Sequence, residues 1–353
     1  MPTLQFSKTR PDGAVVEGCI APSLLTELEQ RLPGRVRTQV PLAPLSRWKI
    51  GGPAAVYVEP ESPSEAAAIM AIMAPRAEPL FIMGDASNTL FDSAGFNGVV
   101  MRIGRKMSRT RIEGNTAWAE AGVWVPRFAR MIGCSGLTGI EHTIGIPGTL
   151  GGLILMNGGS QRKGIGMNVV EVLCAGEDGQ LFSLTHEECE FAYRSSALQQ
   201  RRAVVLEATL RFARKEVDSI RREMLGILRS RRHKFPQKLP NCGSTFLSDP
   251  SMYATIGPPG QAIELAGLKG LQCGDAQVSP MHANFIVNLG RATSDDVLRL
   301  IARIRKEVQA RTGYALDCEV RHLSPGGTLQ PAHIPAMAKF GAAEVSSLGE
   351  HGI

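Results

Sequence analysis

The spacing of hydrophobic and polar residues predicts a β-α-β unit in the first hundred residues. Short apolar runs at residues 54–59, 80–83 and 98–101 are typical of strands. Between the first two, residues 62–65 (Ser-Pro-Ser-Glu) predict a capping box. This box would open an Ala/Ile/Met-rich helix that ends at Pro75. A glycine loop follows the second strand, which completes the pattern of an α/β unit.

Three later stretches also show a clear period. Residues 204–212 alternate and predict a half-buried strand, whose buried side would carry Leu206, Ala208, Leu210 and Phe212. Residues 217–228 predict an amphipathic helix. Residues 294–312 predict another, with Gly313 past its end and an apolar stripe of Val297, Leu300, Ile301, Ile304 and Val308. Residues 1–18 and the tail after His322 show no sustained period, so we expect both to be poorly ordered.

Composition is that of an ordinary globular protein with room for two or three domains. The chain has 353 residues, of which 43% are hydrophobic and 20% are charged. Its net charge of +6 suits anionic ligands. No basic block is long enough to favour nucleic acid. The densest cluster, residues 229–234, ends a helical pattern, so it fits cations at a helix C-terminus as well as a phosphate site.

Cysteine usage and hydropathy predict a cytoplasmic protein. The seven cysteines form no CxxC pair, which argues for a reducing compartment and against zinc or a disulfide framework. The first twenty residues lack the apolar core of a signal peptide. No run of about 18 apolar residues predicts a membrane span. We therefore expect no metal and no membrane association.

Two glycine-rich segments could cradle a cofactor. Residues 84–88 (Gly-Asp-Ala-Ser-Asn) follow a strand, and their small side chains would let backbone N–H groups converge on an anion. Residues 145–152 form the second segment, about 60 residues further on, and neither matches a Rossmann or P-loop fingerprint. Together they suggest a long dinucleotide, although a plain strand-to-loop turn also explains the first.

Three polar residues lie where a plain core would not need them. Arg194 adjoins an apolar stretch, Ser244 lies in a small-residue turn, and Glu319 stands between strand-like residues. A structural ion pair between Arg194 and Glu319 is the simplest alternative to a catalytic role. No GxSxG elbow surrounds Ser244, which argues against a hydrolase. His282 could equally be a hydrogen-bonded core histidine.

Taken together, these segments resemble the UDP-N-acetylenolpyruvoylglucosamine reductase (MurB) family over residues 40–322. The matching motifs stand in the family's order at residues 50–54, 84–88, 145–152, 156–157, 193–196, 241–246, 266–270, 282–285 and 319–321. The interval between Arg194 and Val204 is short, as in the subgroup that lacks an inserted tyrosine-bearing loop.

The resemblance implies an α+β fold with a two-lobed FAD-binding region of the vanillyl-alcohol-oxidase/p-cresol-methylhydroxylase type. A C-terminal α+β substrate domain would follow it. The implied divisions are a poorly ordered start at 1–18, FAD-binding subdomains at 19–101 and 102–213, a substrate-binding domain at 214–322 and a tail at 323–353.

The implied activity is NADPH-dependent, FAD-mediated reduction of UDP-N-acetylglucosamine enolpyruvate to UDP-N-acetylmuramate in peptidoglycan precursor synthesis. Arg194 and Glu319 would stabilise charge on the substrate, and Ser244 would donate the proton. The implied FAD-binding residues are Gly51, Gly84, Asp85, Ala86, Ser87, Asn88, Gly122, Gly145, Pro147, Gly148, Thr149, Gly152 and Asn157. The implied substrate-binding residues are Lys234, Asn241, Gln277 and His282. We expect a monomer or weak oligomer that binds a UDP-sugar and no nucleic acid.

Three positions depart from the family pattern. Ala86 replaces the second glycine of the first loop, and a positive φ there would cost roughly 1 kcal/mol. Leu247 and Ser248 stand where the family commonly has Lys and Asn, and that Asn contacts the substrate in relatives. A paralogous flavin oxidoreductase with another substrate is therefore an alternative, as is a flavin-binding protein without turnover.

Overall fold

The computed structural model describes residues 20–248 and 250–342, which form two compact units. The first unit combines the residues up to Val40 with Ala54–Asp85 and Phe96–His233. The second combines Pro41–Pro53, Ala86–Gly95 and the chain from Lys234 onward. The expected poor order of residues 1–18 lies outside the described residues. Within the described ranges, no helix has the length and apolar character needed to cross a membrane.

The first unit holds most of the strands. Its helices are α1 (Pro22–Arg31), α2 (Pro63–Met73), α3 (Val125–Cys134), α4 (Leu150–Leu155) and α5 (Val217–Lys234). Its strands are β1 (Arg37–Pro41), β2 (Pro53–Val58), β3 (Leu80–Met83), β5 (Phe96–Arg102), β6 (Thr110–Glu113), β7 (Thr116–Glu120), β8 (Leu137–Thr138), β9 (Val169–Gly176), β10 (Leu181–Thr185), β11 (Ala203–Arg211) and β12 (Ala213–Arg214). Helix α5 runs six residues beyond the predicted 217–228.

A four-stranded sheet in the order β1-β2-β5-β3 confirms the predicted β-α-β unit. β2 and β3 both pair with β5 in parallel, which places the three predicted apolar runs side by side. The chain leaves this sheet at Gly84, directly after β3. The glycine loop of residues 84–88 therefore begins at the carboxyl end of a parallel strand, where ligand loops of such sheets are commonly found.

The predicted capping box at α2 is only half formed. Ser62 Oγ accepts a hydrogen bond from the Glu65 N–H at 3.2 Å, and Pro63 is the first helical residue, as predicted. The Glu65 carboxylate, however, accepts from the Glu61 N–H at 2.8 Å instead of from Ser62. Arg35 binds the same carboxylate at 2.6 and 2.8 Å, and this charged partner competes for it.

An antiparallel five-stranded sheet in the order β10-β9-β11-β7-β6 completes the core of the first unit. β11 is a central strand between β9 and β7. The four side chains predicted on its buried side, Leu206, Ala208, Leu210 and Phe212, are all buried.

The second unit is smaller and has two three-stranded sheets. Its strands are β4 (Thr89–Phe91), β13 (Gln272–Cys273), β14 (Ala276–Val278), β15 (Ile286–Asn288), β16 (Arg321–Leu323) and β17 (Leu329–Pro331). Its helices are α6 (Pro250–Tyr253), α7 (Pro259–Leu265), α8 (Ser294–Thr312) and α9 (His333–Phe340). The sheet orders are β13-β14-β15 and β17-β16-β4, and β16 pairs with β4 in parallel. This mixture of helices and largely antiparallel sheets confirms the α+β class.

Helix α8 has the predicted bounds and the predicted buried stripe. Thr293 and Asp296 form a full capping box at its start, and Gly313 ends it in the left-handed region with a φ of 77°. The five predicted stripe residues are buried in the core of the second unit.

The prediction of a disordered tail after residue 322 is wrong for the part that the structure describes. β17 pairs with β16, and the Ala332 N–H donates to the Val320 carbonyl at 2.9 Å. Ala332 and Ala336 are buried against the core, and Arg299 lies over the Phe340 ring at 4.2 Å. The buried residues of α9 are Pro335 and Ala336, which leave little hydrophobic period in the sequence. Residues 343–353 lie outside the described part.

Candidate active site

The two glycine-rich segments meet within the first unit at Gly84 and Thr149. A Cβ built on Gly84 would lie 2.1 Å from Thr149 Oγ1, a distance that no side chain could tolerate. Thr149 is buried and precedes α4. Gly84 is therefore required for this close approach, and the pairing of the two segments agrees with a shared ligand.

The 84–88 loop has an arrangement suited to an anion. No backbone carbonyl of the described residues accepts a hydrogen bond from the N–H groups of residues 84–88. Ala86 has a φ of 44°, so the position that holds glycine in relatives does adopt the left-handed conformation. Asp85 is held by Arg102 at 3.3 Å, which keeps its carboxylate paired. The N–H groups of this loop are left for an anionic ligand.

The 145–152 segment is fixed by close backbone packing. Gly148, which follows Pro147, has a φ of 143°. Its carbonyl accepts a hydrogen bond from the Val125 N–H at 3.0 Å. A Cβ on Gly151 would lie 2.8 Å from Ala121 Cβ, whereas one on Gly152 would meet Thr149 Oγ1 at 3.6 Å, an ordinary contact. Only some of these glycines are therefore needed for packing.

Gly122 leaves no room for a side chain, whereas Gly145 lies against the flexible side chain of Arg231. A Cβ on Gly122 would lie 1.9 Å from the Gly104 carbonyl oxygen. One on Gly145 would lie 2.4 Å from Arg231 Cδ. The side chain of Arg231 therefore covers the start of the 145–152 segment, and burial lowers the pKa of its guanidinium.

Both polar atoms of the Asn157 side chain form hydrogen bonds with the protein backbone. Its Nδ2 donates to the Ala192 carbonyl at 2.8 Å, and its Oδ1 accepts from the Gly166 N–H at 2.9 Å. Ala192 pairs with Ser195 in a tight turn whose two backbone hydrogen bonds measure 3.0 and 3.1 Å. Asn157 therefore supports the turn that carries Arg194.

Arg194 has an unfavourable backbone conformation that its neighbours hold in place. Its φ is 52°, in the left-handed region that a non-glycine residue enters at a cost of roughly 1–2 kcal/mol. Gln199 Nε2 donates to the Arg194 carbonyl at 3.1 Å and to the Leu155 carbonyl at 3.0 Å. Ser196 Oγ binds the same Leu155 carbonyl at 2.7 Å. The Arg194 turn is thus tied to the last residue of α4.

In the second unit, Ser244 and Glu319 lie on segments that are hydrogen-bonded to each other. The Glu319 N–H donates to the Thr245 carbonyl at 2.9 Å, and Phe246 forms an isolated bridge with Cys318. On its other side, the Ser244 segment is held by Asn284, whose side chain binds both the N–H and the carbonyl of Phe246 at 2.9 and 3.0 Å. The predicted proton donor and the predicted carboxylate are therefore neighbours, although no sequence pattern connects them.

Residues 86–89 join the same group of segments in the second unit. The Asn88 Nδ2 donates to the Glu319 carbonyl at 3.1 Å, and Cys242 Sγ lies 3.6 Å from the Ala86 carbonyl and 3.7 Å from that of Thr89. Burial raises the pKa of Cys242 to about 12, so it remains a neutral thiol donor. Ser87 is partly buried in this loop.

Gly51 has a structural role in the second unit. It has a φ of 140°, and a Cβ there would lie 2.8 Å from Phe91 Cβ. The Gly52 N–H donates to the Asp92 carbonyl at 3.0 Å. This packing fixes the 50–54 motif beside β4.

The predicted substrate-binding residues differ in how many hydrogen bonds their side chains form within the protein. Asn241 donates to the carbonyls of Pro236 and Leu239 and accepts from the Gly243 N–H, so its side chain shapes the turn before Ser244. Gln277 Nε2 binds the Gly270 carbonyl at 3.3 Å. Lys234 is exposed as the last residue of α5.

His282 belongs to a group of packed rings. Its centroid lies 5.3 Å from that of Phe235 and 5.0 Å from that of Phe285. Its Nδ1 accepts from the Asn284 N–H at 3.3 Å, and burial lowers its pKa. His282 is therefore neutral near pH 7, with its proton on Nε2 available to a ligand.

Two partly buried arginines, Arg231 and Arg321, were not among the predicted site residues. Arg231 covers the 145–152 segment in the first unit. Arg321 lies two residues beyond Glu319 in the second; burial lowers its pKa, and its buried NH1 has no hydrogen-bond partner among the described residues. The sequence shows that residues 229–234 and 319–321 contain arginines. It does not show that Arg231 and Arg321 are partly buried, which is what distinguishes them from surface arginines.

The three predicted catalytic residues are divided between the units. Arg194 belongs to the first unit, and Ser244 and Glu319 belong to the second.

Comparisons with known proteins agree with these motifs. A model of the FAD binding domain matches residues 54–185, and a model of the UDP-N-acetylenolpyruvoylglucosamine reductase C-terminal domain matches residues 235–323. UDP-N-acetylenolpyruvoylglucosamine reductase 1 of Corynebacterium glutamicum is 49% identical, over 89% of this chain and 94% of its own length. A second such reductase, from Symbiobacterium thermophilum, is 38% identical, over 82% and 93%. The crystal structure of this reductase from Thermus caldophilus superimposes with a TM-score of 0.69 at 29% identity, covering 81% of this chain and 99% of that one.

Proposed function

The chain belongs to the UDP-N-acetylenolpyruvoylglucosamine reductase family, and on this premise we propose that it reduces UDP-N-acetylglucosamine enolpyruvate to UDP-N-acetylmuramate. It is an FAD-binding oxidoreductase, and the reductant in our proposal is NADPH. The product would enter peptidoglycan precursor synthesis. The observation that carries the proposal is the hydrogen-bonded pairing of the Ser244 and Glu319 segments.

The residues of the glycine-rich segments fit a dinucleotide such as FAD. Gly84 admits no side chain and is only partly buried, so its backbone is accessible beside Thr149, whereas Gly122 is buried against the Gly104 carbonyl. The N–H groups of residues 84–88 donate to no backbone carbonyl of the described chain, which suits a pyrophosphate. Thr149 and Arg231 would add a hydroxyl and a positive charge beside the second segment. When bound, FAD would supply the hydride-transfer chemistry between NADPH and the substrate.

The reaction adds a hydride to the terminal vinyl carbon and a proton to the carbon next to the carboxylate. Negative charge develops on that carboxylate as the first bond forms. Arg194 is suited to bind it because the guanidinium fork can contact two oxygens at once. Glu319 would share a proton with the developing oxyanion. Interactions made only in the transition state are typically worth a few kcal/mol per group.

Ser244 would then give its proton to the enolate carbon, and solvent would restore the hydroxyl proton. A serine hydroxyl is a weak acid, but an enolate carbon is basic enough to accept its proton when neighbours stabilise the alkoxide. The buried guanidinium of Arg321, two residues from Glu319, is a positive charge that an anionic ligand would stabilise.

Separating the two half-reactions tests the role of Ser244. Ser244→Ala should leave flavin reduction by NADPH nearly intact and slow reoxidation by the enolpyruvyl sugar nucleotide on the order of a hundredfold or more, because only the second half-reaction needs the proton. Anaerobic stopped-flow absorbance measures both rates. Ser244→Cys, which keeps a donor, should recover part of the lost rate. An equal loss in both half-reactions would mean that Ser244 is structural.

One observation favours a second candidate, a paralogue that reduces a different enolic substrate. Leu247 and Ser248 follow the Ser244 segment where relatives commonly carry Lys and Asn. Leu247 is fixed by its N–H, which donates to the Asp317 carbonyl at 2.8 Å. If NADPH reduces the flavin but the enolpyruvyl sugar nucleotide does not reoxidise it, the paralogue is favoured.

A further inference from the structure

The side chain of Asn88 binds the backbone of the predicted catalytic carboxylate. Its Nδ2 donates to the Glu319 carbonyl at 3.1 Å across 231 positions of the chain. Directly beyond this contact, the Arg321 N–H donates to the Asn88 carbonyl at 3.1 Å. The parallel pairing of β16 with β4 then begins with Arg321 opposite Thr89. Asn88 thus binds the backbone on both sides of Val320.

Glu319 is restrained from the opposite direction as well. Its N–H donates to the Thr245 carbonyl, next to Ser244, at 2.9 Å. Its two backbone polar groups are therefore shared between the segment of the proton donor and the loop that holds Asn88.

The loop that carries Asn88 is itself attached to the Ser244 segment. The Cys242 thiol is directed at the carbonyls of Ala86 and Thr89, on either side of Asn88. Cys242 is buried, so these contacts exclude water. The segments of Asn88, Ser244 and Glu319 consequently form one closed set of hydrogen bonds within the second unit.

We propose that Asn88 is a positioning residue for Glu319, acting through its Nδ2 donor on the Glu319 carbonyl. This rests on the proposed function, in which Glu319 assists the substrate carboxylate. The N–H of Asn88 remains available to the cofactor, but its side chain serves the second half-reaction. Misplacing a catalytic group by about 1 Å can cost on the order of a hundredfold in rate. Losing this hydrogen bond should therefore slow substrate reduction without weakening FAD binding.

The test compares Asn88→Ala with Asn168→Ala, because Asn168 Nδ2 also donates to a backbone carbonyl, that of Arg211, at 3.0 Å. Asn88→Ala should keep the FAD dissociation constant and the rate of flavin reduction by NADPH within about threefold of wild type. Reoxidation by the enolpyruvyl sugar nucleotide should fall on the order of ten- to a hundredfold. Asn168→Ala, which removes a bond of the same kind that does not involve Glu319, should not slow reoxidation selectively. Flavin fluorescence gives the affinities, and anaerobic stopped-flow gives the rates.

A double variant separates positioning from a general structural effect. In the Glu319→Gln background, Asn88→Ala should cause less than about a twofold further loss, since it acts through a carboxylate already removed. A full additional loss, or FAD affinity falling in step with reoxidation, would overturn the inference while the proposed function stands. If wild-type reduced flavin is not reoxidised by the sugar nucleotide, the proposed function fails and the inference falls with it.

Discussion

Several non-glycine residues of this chain adopt the left-handed backbone conformation, which is unfavourable for residues with a side chain. Arg194 and Ala86 have φ values of 52° and 44°, and each lies in a segment that our proposal assigns to the site. Strain of this kind persists only where surrounding contacts enforce it. At Arg194 those contacts are visible, since Gln199 and the Ala192–Ser195 turn fix the backbone.

Substitutions at Ala86 should report this strain directly. Ala86→Gly should leave the free energy of unfolding within about 1 kcal/mol of wild type, because relief of strain and the greater freedom of unfolded glycine oppose each other. Ala86→Val should lower it by about 2 kcal/mol or more, because a β-branched residue tolerates a positive φ poorly and the site is buried. Urea titration measures both.

Ala310→Val on the exposed face of α8 is the matched control for Ala86→Val. It should cost only roughly 0.5 kcal/mol, the difference in helix propensity. Equal losses at positions 86 and 310 would contradict the assignment of strain to Ala86.

The limits of prediction from sequence are clearest for single contacts. The glycine pattern predicted that the 84–88 loop could face an anion, and the departure at Ala86 predicted its strain. The role of the Asn88 side chain could not be predicted, because its partner is 231 positions away and is a backbone carbonyl, which no sequence motif encodes. Asn157 is similar, since its amide binds the Ala192 carbonyl, 35 positions away. Asn241 differs, because its backbone partners lie in its own turn.

At the scale of elements, the sequence was most informative where a helix has clear signals at both ends. Thr293, Asp296 and Gly313 define α8, and its stripe residues repeat at helical spacing. Helix α9 was not predicted because its buried residues are only Pro335 and Ala336, which give no helical period, and it packs against α8 and β17. In the α2 capping box, the Glu65 side chain does not bind the Ser62 N–H, because Arg35, which is distant in sequence, binds its carboxylate.

Substitutions at two glycines test the helix assignments, because they should change the free energy of unfolding in opposite directions. Gly226 lies inside α5 with open space around it, so Gly226→Ala should raise the free energy of unfolding by about 0.5–1 kcal/mol. Gly313 also has open space but ends α8 with a φ of 77°, so Gly313→Ala should lower it by about 1 kcal/mol. Urea titration of both variants gives the values. Shifts of the same sign would contradict the assigned helix bounds.

At the scale of the whole molecule, each unit is assembled from separate stretches of chain. The second unit takes Pro41–Pro53 and Ala86–Gly95 from within the N-terminal part of the sequence. Trp48 Nε1 binds the Ile286 carbonyl at 2.8 Å, and Asn288 binds the Trp48 carbonyl at 2.9 Å, which attaches the first of these stretches to β15. Sequence patterns give boundaries along the chain, so they cannot reveal that residues 86–89 share a unit with Ser244 and Glu319. Within the second unit, residues 86–89 therefore contact the segments of the predicted proton donor and carboxylate.

We propose that this protein passes electrons from NADPH to an enolpyruvyl sugar nucleotide. The most direct measurement reduces the FAD-loaded protein anaerobically with one equivalent of NADPH and then mixes it with UDP-N-acetylglucosamine enolpyruvate. UDP-N-acetylglucosamine, which lacks the enolpyruvyl group, is the matched control. We predict that only the former restores the absorbance of oxidised flavin, with one UDP-N-acetylmuramate formed per flavin reoxidised. Flavin that stays reduced with both nucleotides would show that the enolpyruvyl sugar nucleotide is not the electron acceptor.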